Sequence, residues 1–510
     1  RARRSARRTD MSVRPAAAGL ALLVAGLVPQ AGWAQGYRLR LDSRLQTVAF
    51  RGVSPDSIVR AAAVVGSTGG FFTPDGFAVT CTGTSDYCRF YRPGPQLSST
   101  PLVSYADLTV WGLGAPGLSL RGNVRWGADL SAADLWPGTD PALQLLEGYA
   151  EYARGELTGR LGRQHVTGRL GWLGMDGAAL TLRSARAGLE FTGYGGWGLA
   201  RGVDLPVTSP SLNPLEDYQL PRRQVTAGAM AGWRNRSADL RAEYRREIDP
   251  SADAFVSERA ALTMVVRPLA HFRLTGGAEY DLAQGWWGTS DLTLGYDSPL
   301  VSADGGARRY RPYFELWTIW GAFSPVPYTA LDGSISIAPV RRLRLRASGE
   351  RYWFDETGAE TGLGTFEDDG WRISLAATAF ALPSLTLDLG YHEEFGPGAA
   401  SRSWDGRATW LPMPALSLAA FGSSFLRPLE LRFDEAHVDA VGLDATYRLS
   451  ERLEVAVSGA QYFENRRRPD AGAFDWNQFR LQLRATWMLG SDADRLRLPP
   501  AIRGVRRVGR

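Results

Sequence analysis

The 510-residue chain contains no lysine, so arginine supplies all 58 of its basic residues. It has only four histidines, two cysteines and six methionines. His165, His271, His392 and His437 share no metal-binding spacing, and His392-Glu-Glu does not match H-E-x-x-H. There is no G-x-S-x-G elbow and no phosphate-binding loop. No catalytic, cofactor or metal site is therefore expected, and the chain is not read as an enzyme. Glu367-Asp368-Asp369 is read as a solvated loop before a cation site. Nowhere is there the run of ~20 apolar residues that a membrane-spanning helix needs.

The basic balance is also missing from the body of the chain. The net charge is +5, but residues 1–34 hold six arginines against one aspartate, and 491–510 hold six against two. The stretch between them is slightly acidic, which argues against a nucleic-acid partner. Residues 491–510 read as a basic periplasmic tail.

The N-terminal region reads as a targeting segment. Met11 is the expected start, after upstream read-through. Arg14 supplies the positive charge, Ala16 to Val28 the short apolar run, and Gly32 and Ala34 the small residues before Gln35. Cleavage is expected near Ala34-Gln35. Export agrees with the cysteine pair, Cys81 and Cys88, which is expected to close a small disulfide loop in an oxidising compartment.

What the chain does have is alternation. In 118–130, Leu118, Leu120, Val124, Trp126, Ala128 and Leu130 alternate with Ser119, Arg121, Asn123, Arg125, Gly127 and Asp129. The same period of two runs through 272–282, 343–350 and 479–487. A helix would mix arginine and leucine on every side, whereas a strand puts them on opposite faces. Mean hydropathy is -0.20, and that is uninformative here, because only every second residue of a membrane strand meets lipid.

Connections alternate between tight turns, such as 114–117, 153–156 and 382–384, and longer loops, such as 131–142, 165–177, 196–221, 354–369 and 393–402. Gly112-Leu-Gly114-Ala-Pro-Gly117 matches a dinucleotide fingerprint, but a strand follows it where a helix is required, so it reads as a hairpin turn. Short turns at one end and long loops at the other predict an all-β, transmembrane antiparallel barrel of 18–22 strands over 35–490. Tryptophans near the strand ends, among them Trp172, Trp197, Trp287, Trp404, Trp410 and Trp487, fit interfacial girdles. Residues 50–104 stand apart as a long loop or a lumenal insertion carrying the cysteines.

A barrel this large leaves a lumen. Alternate polar residues nominate its lining: Arg121, Arg125, Glu243, Arg273, Glu279, Glu315, Arg344, Arg346, Glu350, Arg372, Asp388, Arg407, Arg480 and Arg484. The expected function is a bacterial outer-membrane channel for passive passage of small polar or anionic solutes. The alternative is a non-conducting barrel for adhesion, surface-polymer anchoring or envelope assembly. Expected partners are outer-membrane lipid, lipopolysaccharide, the barrel-insertion machinery and a small polar solute.

Tyr149-Ala-Glu-Tyr152, then Leu161-Gly-Arg163-Gln164, then Asp176-Gly177-Ala178, resembles a pattern in alginate-export-type and related outer-membrane porins. The resemblance spans about 30 residues of the sequence. It implies an 18-stranded, monomeric, diffusive or export channel. It also implies a rim or constriction role for Arg163 and Asp176, whose side chains could equally brace the loop 165–177.

Overall fold

A computed structural model describes residues 36–65, 71–75, 77–81, 86–131, 142–199, 224–250, 254–311, 327–355, 369–396, 399–427, 435–468, 472–473 and 476–491. The targeting segment, Glu315, two further tryptophans expected near strand ends (Trp136 and Trp320) and most of the tail lie outside these residues.

The alternating segments form strands, and each pairs antiparallel with its neighbour in sequence. Twenty-two of them run from Gly36–Gln46 and Pro101–Trp111 through to Trp476–Gly490. The first and last also pair, from Arg38 opposite Gly490 to Gln46 opposite Gln482, which closes the sheet into a barrel. The count lies at the top of the range expected from sequence and exceeds the 18 that the resemblance implies. Closure leaves no open edge, which is the condition for a sheet to sit in hydrocarbon. Strand lengths of 10 to 16 residues suit this role. A 12-residue strand tilted by about 40° rises roughly 30 Å.

One set of alternate residues is apolar and exposed. Leu161 is 67% exposed, Leu389 65% and Leu443 67%, with Leu180, Leu292, Leu331 and Leu481 in the same position on other strands. Trp172, Trp197, Trp287, Trp353, Trp404, Trp410 and Trp487 join this outward face. Exposed leucine on that scale is stable only against lipid.

Two of the expected long loops are strand instead. In 165–177 the strands Leu157–Gly168 and Gly171–Ser184 continue into a two-residue turn at Arg169 and Leu170. Gly171, with φ of 90°, takes the turn position that a side chain would strain. In 393–402, Leu385–Gly396 and Ala399–Met413 pair up to Gly396 opposite Ala399. Glycine content suggested loops at both sites. At 165–177 the glycines let backbones pack closely.

The excursion between the first two barrel strands is a second, smaller structure. Val48–Val59 pairs with Tyr87–Ser99, so it spans 48–99 and the barrel resumes at Pro101. Cys81 and Cys88 are disulfide-bonded. Val79, Cys88 and Phe90 form a core of their own, packed by Ile58, Ala63, Phe71 and Phe77. Thr47 N–H donates to the Leu481 carbonyl, and Ser99 Oγ and Thr100 N–H donate to the Asp129 carboxylate, which fixes the base of the excursion to the wall.

Candidate functional site: a charged lumen with an inward hairpin

The turn at Arg169 and Leu170 identifies the inner face. Its contacts lie on Ala238–Asp249, Phe272–Asp281 and Trp286–Asp297. The last of these is six strands further round the barrel than Gly171–Ser184. At the usual strand spacing that is roughly 30 Å of wall. The hairpin tip bridges this distance across the interior.

Docking uses the hairpin backbone. The Glu243 carboxylate accepts from Arg169 N–H at 2.9 Å and from Leu170 N–H at 3.3 Å. Arg245 donates to the carbonyls of Leu170 and Gly171, both at 3.0 Å. Glu243 and Arg245 are two apart on one strand, so both face inward. They are 7% and 1% exposed. The Arg169 side chain donates to Asp291 and to the Thr289 carbonyl, and lies 3.7 Å from Glu279. Below the tip, Val166, Leu173 and Met175 pack on Tyr194 with Met230 against them. The hairpin is held by both charge and apolar burial.

At the base of the hairpin, Arg163 and Asp176 face each other in register and pair in bidentate fashion, at 2.7 and 3.0 Å. Arg163 also donates to the Leu145 carbonyl at 2.9 Å. The pair lies on the opposite face of the hairpin from Met175 and ties its two strands together. Gly162 sits beside it with φ of 130°, and a Cβ there would overlap the Gly148 carbonyl oxygen. Gly162 pairs with Gly177, and Gly177 with Gly196. This glycine row lets the backbones crowd together at the base of the inward hairpin.

Following the register from Glu243 round the barrel puts Arg121, Arg125, Arg273, Glu279, Arg344, Arg346, Glu350, Arg372, Asp388, Arg407, Arg480 and Arg484 on the inner face. Glu315 lies outside the described residues. Several of these charges are neutralised in chains. Glu350 accepts from Arg308 at 2.6 Å and from Arg372 at 3.0 Å, and Arg372 donates on to Glu394 at 2.7 Å. Arg372 also lies over the Tyr352 ring, 4.8 Å from its centroid. Arg407 pairs with Asp444, and Arg121 with Asp107 and Glu147. At the closing seam Asp42 is shared by Arg40, Arg44 and Arg484. Three guanidinium groups on one carboxylate leave that wall positive.

Sequence reading missed Asp42, Arg169, Arg245, Asp291, Glu394 and Asp405. Asp42, Arg245, Asp291, Glu394 and Asp405 stand at the same alternate positions as the residues it nominated, so period-two alternation carried the signal. Arg169 carried none, because a turn has no fixed face.

The histidines form no catalytic relay among the described residues. His392 Nδ1 is 2.8 Å from Ser374 Oγ. His437 Nε2 meets both Ser424, at 3.1 Å, and Asp439, at 3.2 Å, so one ring nitrogen serves both partners. A relay needs them on opposite nitrogens. His165 pairs with Glu147 and stacks on Trp172. No group of three metal-ligating side chains occurs among the described residues.

No protein-family model and no curated protein matches the chain. Solved structures do. Pseudomonas aeruginosa OccK3 (OpdO) is 11% identical over 89% of this chain and 96% of its own, with a TM-score of 0.38. The copper transporter OprC is 12% identical over 88% and 80%, with a TM-score of 0.45. The ferric enterobactin receptor PfeA is 11% identical over 90% and 82%, with a TM-score of 0.46. None of these names an alginate-export protein. At such identities and scores the barrel class rests on this chain's own closed register and outward apolar face. Those features define a transmembrane β-barrel of the outer-membrane kind.

Proposed function

We propose that the protein is an outer-membrane channel for passive passage of small polar solutes, with anions favoured. The carrying observation is the charged inner face of a closed 22-strand barrel. Barrels of 16 or more strands enclose an aqueous lumen, and charges on its wall set solute preference. The positive seam at Asp42, Arg40, Arg44 and Arg484 supports the anion preference. The inward hairpin narrows the lumen, and the Arg163–Asp176 pair braces it. Export after cleavage near Ala34-Gln35, insertion by the barrel-insertion machinery, and a surround of outer-membrane lipid and lipopolysaccharide belong to this reading.

The test is single-channel conductance of the purified protein in a planar bilayer, with reversal potential in a salt gradient. Stable open steps with anion-selective reversal are expected. A folded, inserted barrel without conductance overturns the reading.

One observation favours a second reading, a barrel used for adhesion or surface anchoring. The excursion 48–99 is self-contained, and it exposes Val59, Val64, Val65 and Tyr87 by 46 to 61%. Apolar side chains on a disulfide-closed projection suit a protein partner. Cell-surface binding that persists after the lumen is blocked would select it.

A further inference from the structure

We propose that the lumen wall carries a binding slot for amphoteric solutes, which bear an anionic and a cationic group on one small molecule. The inference rests on the channel reading and names its solute class.

The slot lies between Leu343–Phe354 and Ala399–Met413. One row of paired residues reads Arg346, Ala376, Gly390, Asp405, and the next reads Arg344, Thr378, Asp388, Arg407. All eight face inward. The strands of Arg344 and Asp388 are two apart, roughly 10 Å. Between the charged ends the wall is built of Ala376, Gly390 and Thr378, which leaves a shallow recess. A Cβ on Gly390 would overlap the Asp405 carboxylate, so that carboxylate lies across the floor of the recess.

Four of its charges, Arg344, Arg346, Asp388 and Asp405, have no ion-pair partner among the described residues. Within the slot Arg407, opposite Asp388 in register, holds Asp444, and elsewhere on this wall Arg308 and Arg372 each hold a carboxylate. Arg344, Arg346 and Asp405 have no hydrogen-bond or ion-pair partner among the described residues. Among the described residues Asp388 accepts only the Thr378 hydroxyl, at 2.7 Å. Two guanidinium groups thus face two carboxylates across a gap that neither side closes. A simple anion drawn to the arginines is repelled by the aspartates, and a simple cation meets the reverse. A solute carrying both charges satisfies both ends. Arginine's planar fork suits a carboxylate, and Asp388 and Asp405 suit an ammonium. Arg344, Arg346 and Asp405 are exposed to the lumen, so little desolvation opposes binding.

The experiment records interruptions of the single-channel current by ε-aminocaproate, caproate and hexylamine at equal concentration and neutral pH. ε-Aminocaproate is expected to dwell about tenfold longer than either singly charged probe, the effect of one added charge-assisted contact. The preference should vanish in both Arg344→Gln/Arg346→Gln and Asp388→Asn/Asp405→Asn. Each variant is first checked for folded-barrel mobility on a gel. Where a double variant fails to fold, Arg346→Gln or Asp405→Asn replaces it. Equal dwell of the three probes, or a preference that survives in both variants, overturns the slot and leaves the channel standing. Absence of conductance overturns the channel reading instead. The slot is then judged by equilibrium dialysis of labelled ε-aminocaproate against protein in detergent. Retention lost in both variants supports it, and no retention overturns it.

Discussion

The two halves of the lumen use the same residue types in opposite ways. Between Leu157 and Asp297 a group of inner charges serves the protein itself. Glu243, Arg245, Glu279 and Asp291 hold the inward hairpin, and Glu243 and Arg245 are almost wholly buried. From Val301 round to the seam, no described segment covers Arg344, Arg346 and Asp405, and they stay exposed. Arginine and carboxylate content does not distinguish the halves. What distinguishes them is whether a second layer of chain lies inside the wall. Buried charge specifies the position of that layer, and exposed charge remains available to a solute.

The sharpest way to break this contrast is to free the hairpin. Arg245→Ala removes a buried cation and leaves two hairpin carbonyls without donors. Loss of about 3–5 kcal/mol of docking is expected, as for one partner removed from a buried charged network. Conductance should rise and fluctuate. Unchanged, quiet conductance would show that the docked tip does not limit the pore. Met175→Ala acts on the apolar side of the same contact. Met175 is fully buried, so a cost of about 2–5 kcal/mol is expected, read as a lower melting temperature together with noisier current.

The excursion offers a control. Replacing Cys81 and Cys88 by serine should cost that small structure about 2–3 kcal/mol, the entropy of a short closed loop. Protease sensitivity within 48–99 should increase, and barrel melting should not change. Deleting 66–95 asks whether the excursion also narrows the path. Increased conductance would place it there, and unchanged conductance would leave the hairpin as the constriction. The smallest effect is expected at Arg160→Gln, which removes an exposed pair with Glu151. Stability should shift by about 1 kcal/mol or less, with the difference fading at high salt.

Much of the wall could be read from the sequence. Residues such as Leu118–Leu130 state both the strand and its two faces, because alternation is local and lipid enforces it on every strand. The closing pair, Gly36–Gln46 with Trp476–Gly490, is antiparallel, as closure of an even number of strands requires. The inward hairpin was not legible. Its glycines at 162, 168, 171 and 177 look like loop residues in a linear string, yet they serve close backbone approach and a two-residue turn. Its partners Glu243, Glu279 and Asp291 lie far off in sequence, and no spacing rule connects them to Arg169. Likewise, alternation placed Arg344 and Arg372 together on the inner face. It gave no sign that Arg372 is neutralised by Glu350 and Glu394 while Arg344 has no partner among the described residues.

The closing seam also sets an order of assembly. Tyr37 N–H donates to Ser491 Oγ, and Ser491 N–H to the Tyr37 carbonyl, so the two ends of the barrel strands lie side by side. During synthesis the first strand must wait for the last, and every shorter intermediate carries two unpaired edges prone to aggregation. The same adjacency makes the ring indifferent to where it is cut. A circular permutant that joins these ends through a short linker and opens at the Gly155 turn should close into the same barrel, with the waiting edge moved to a different pair of strands.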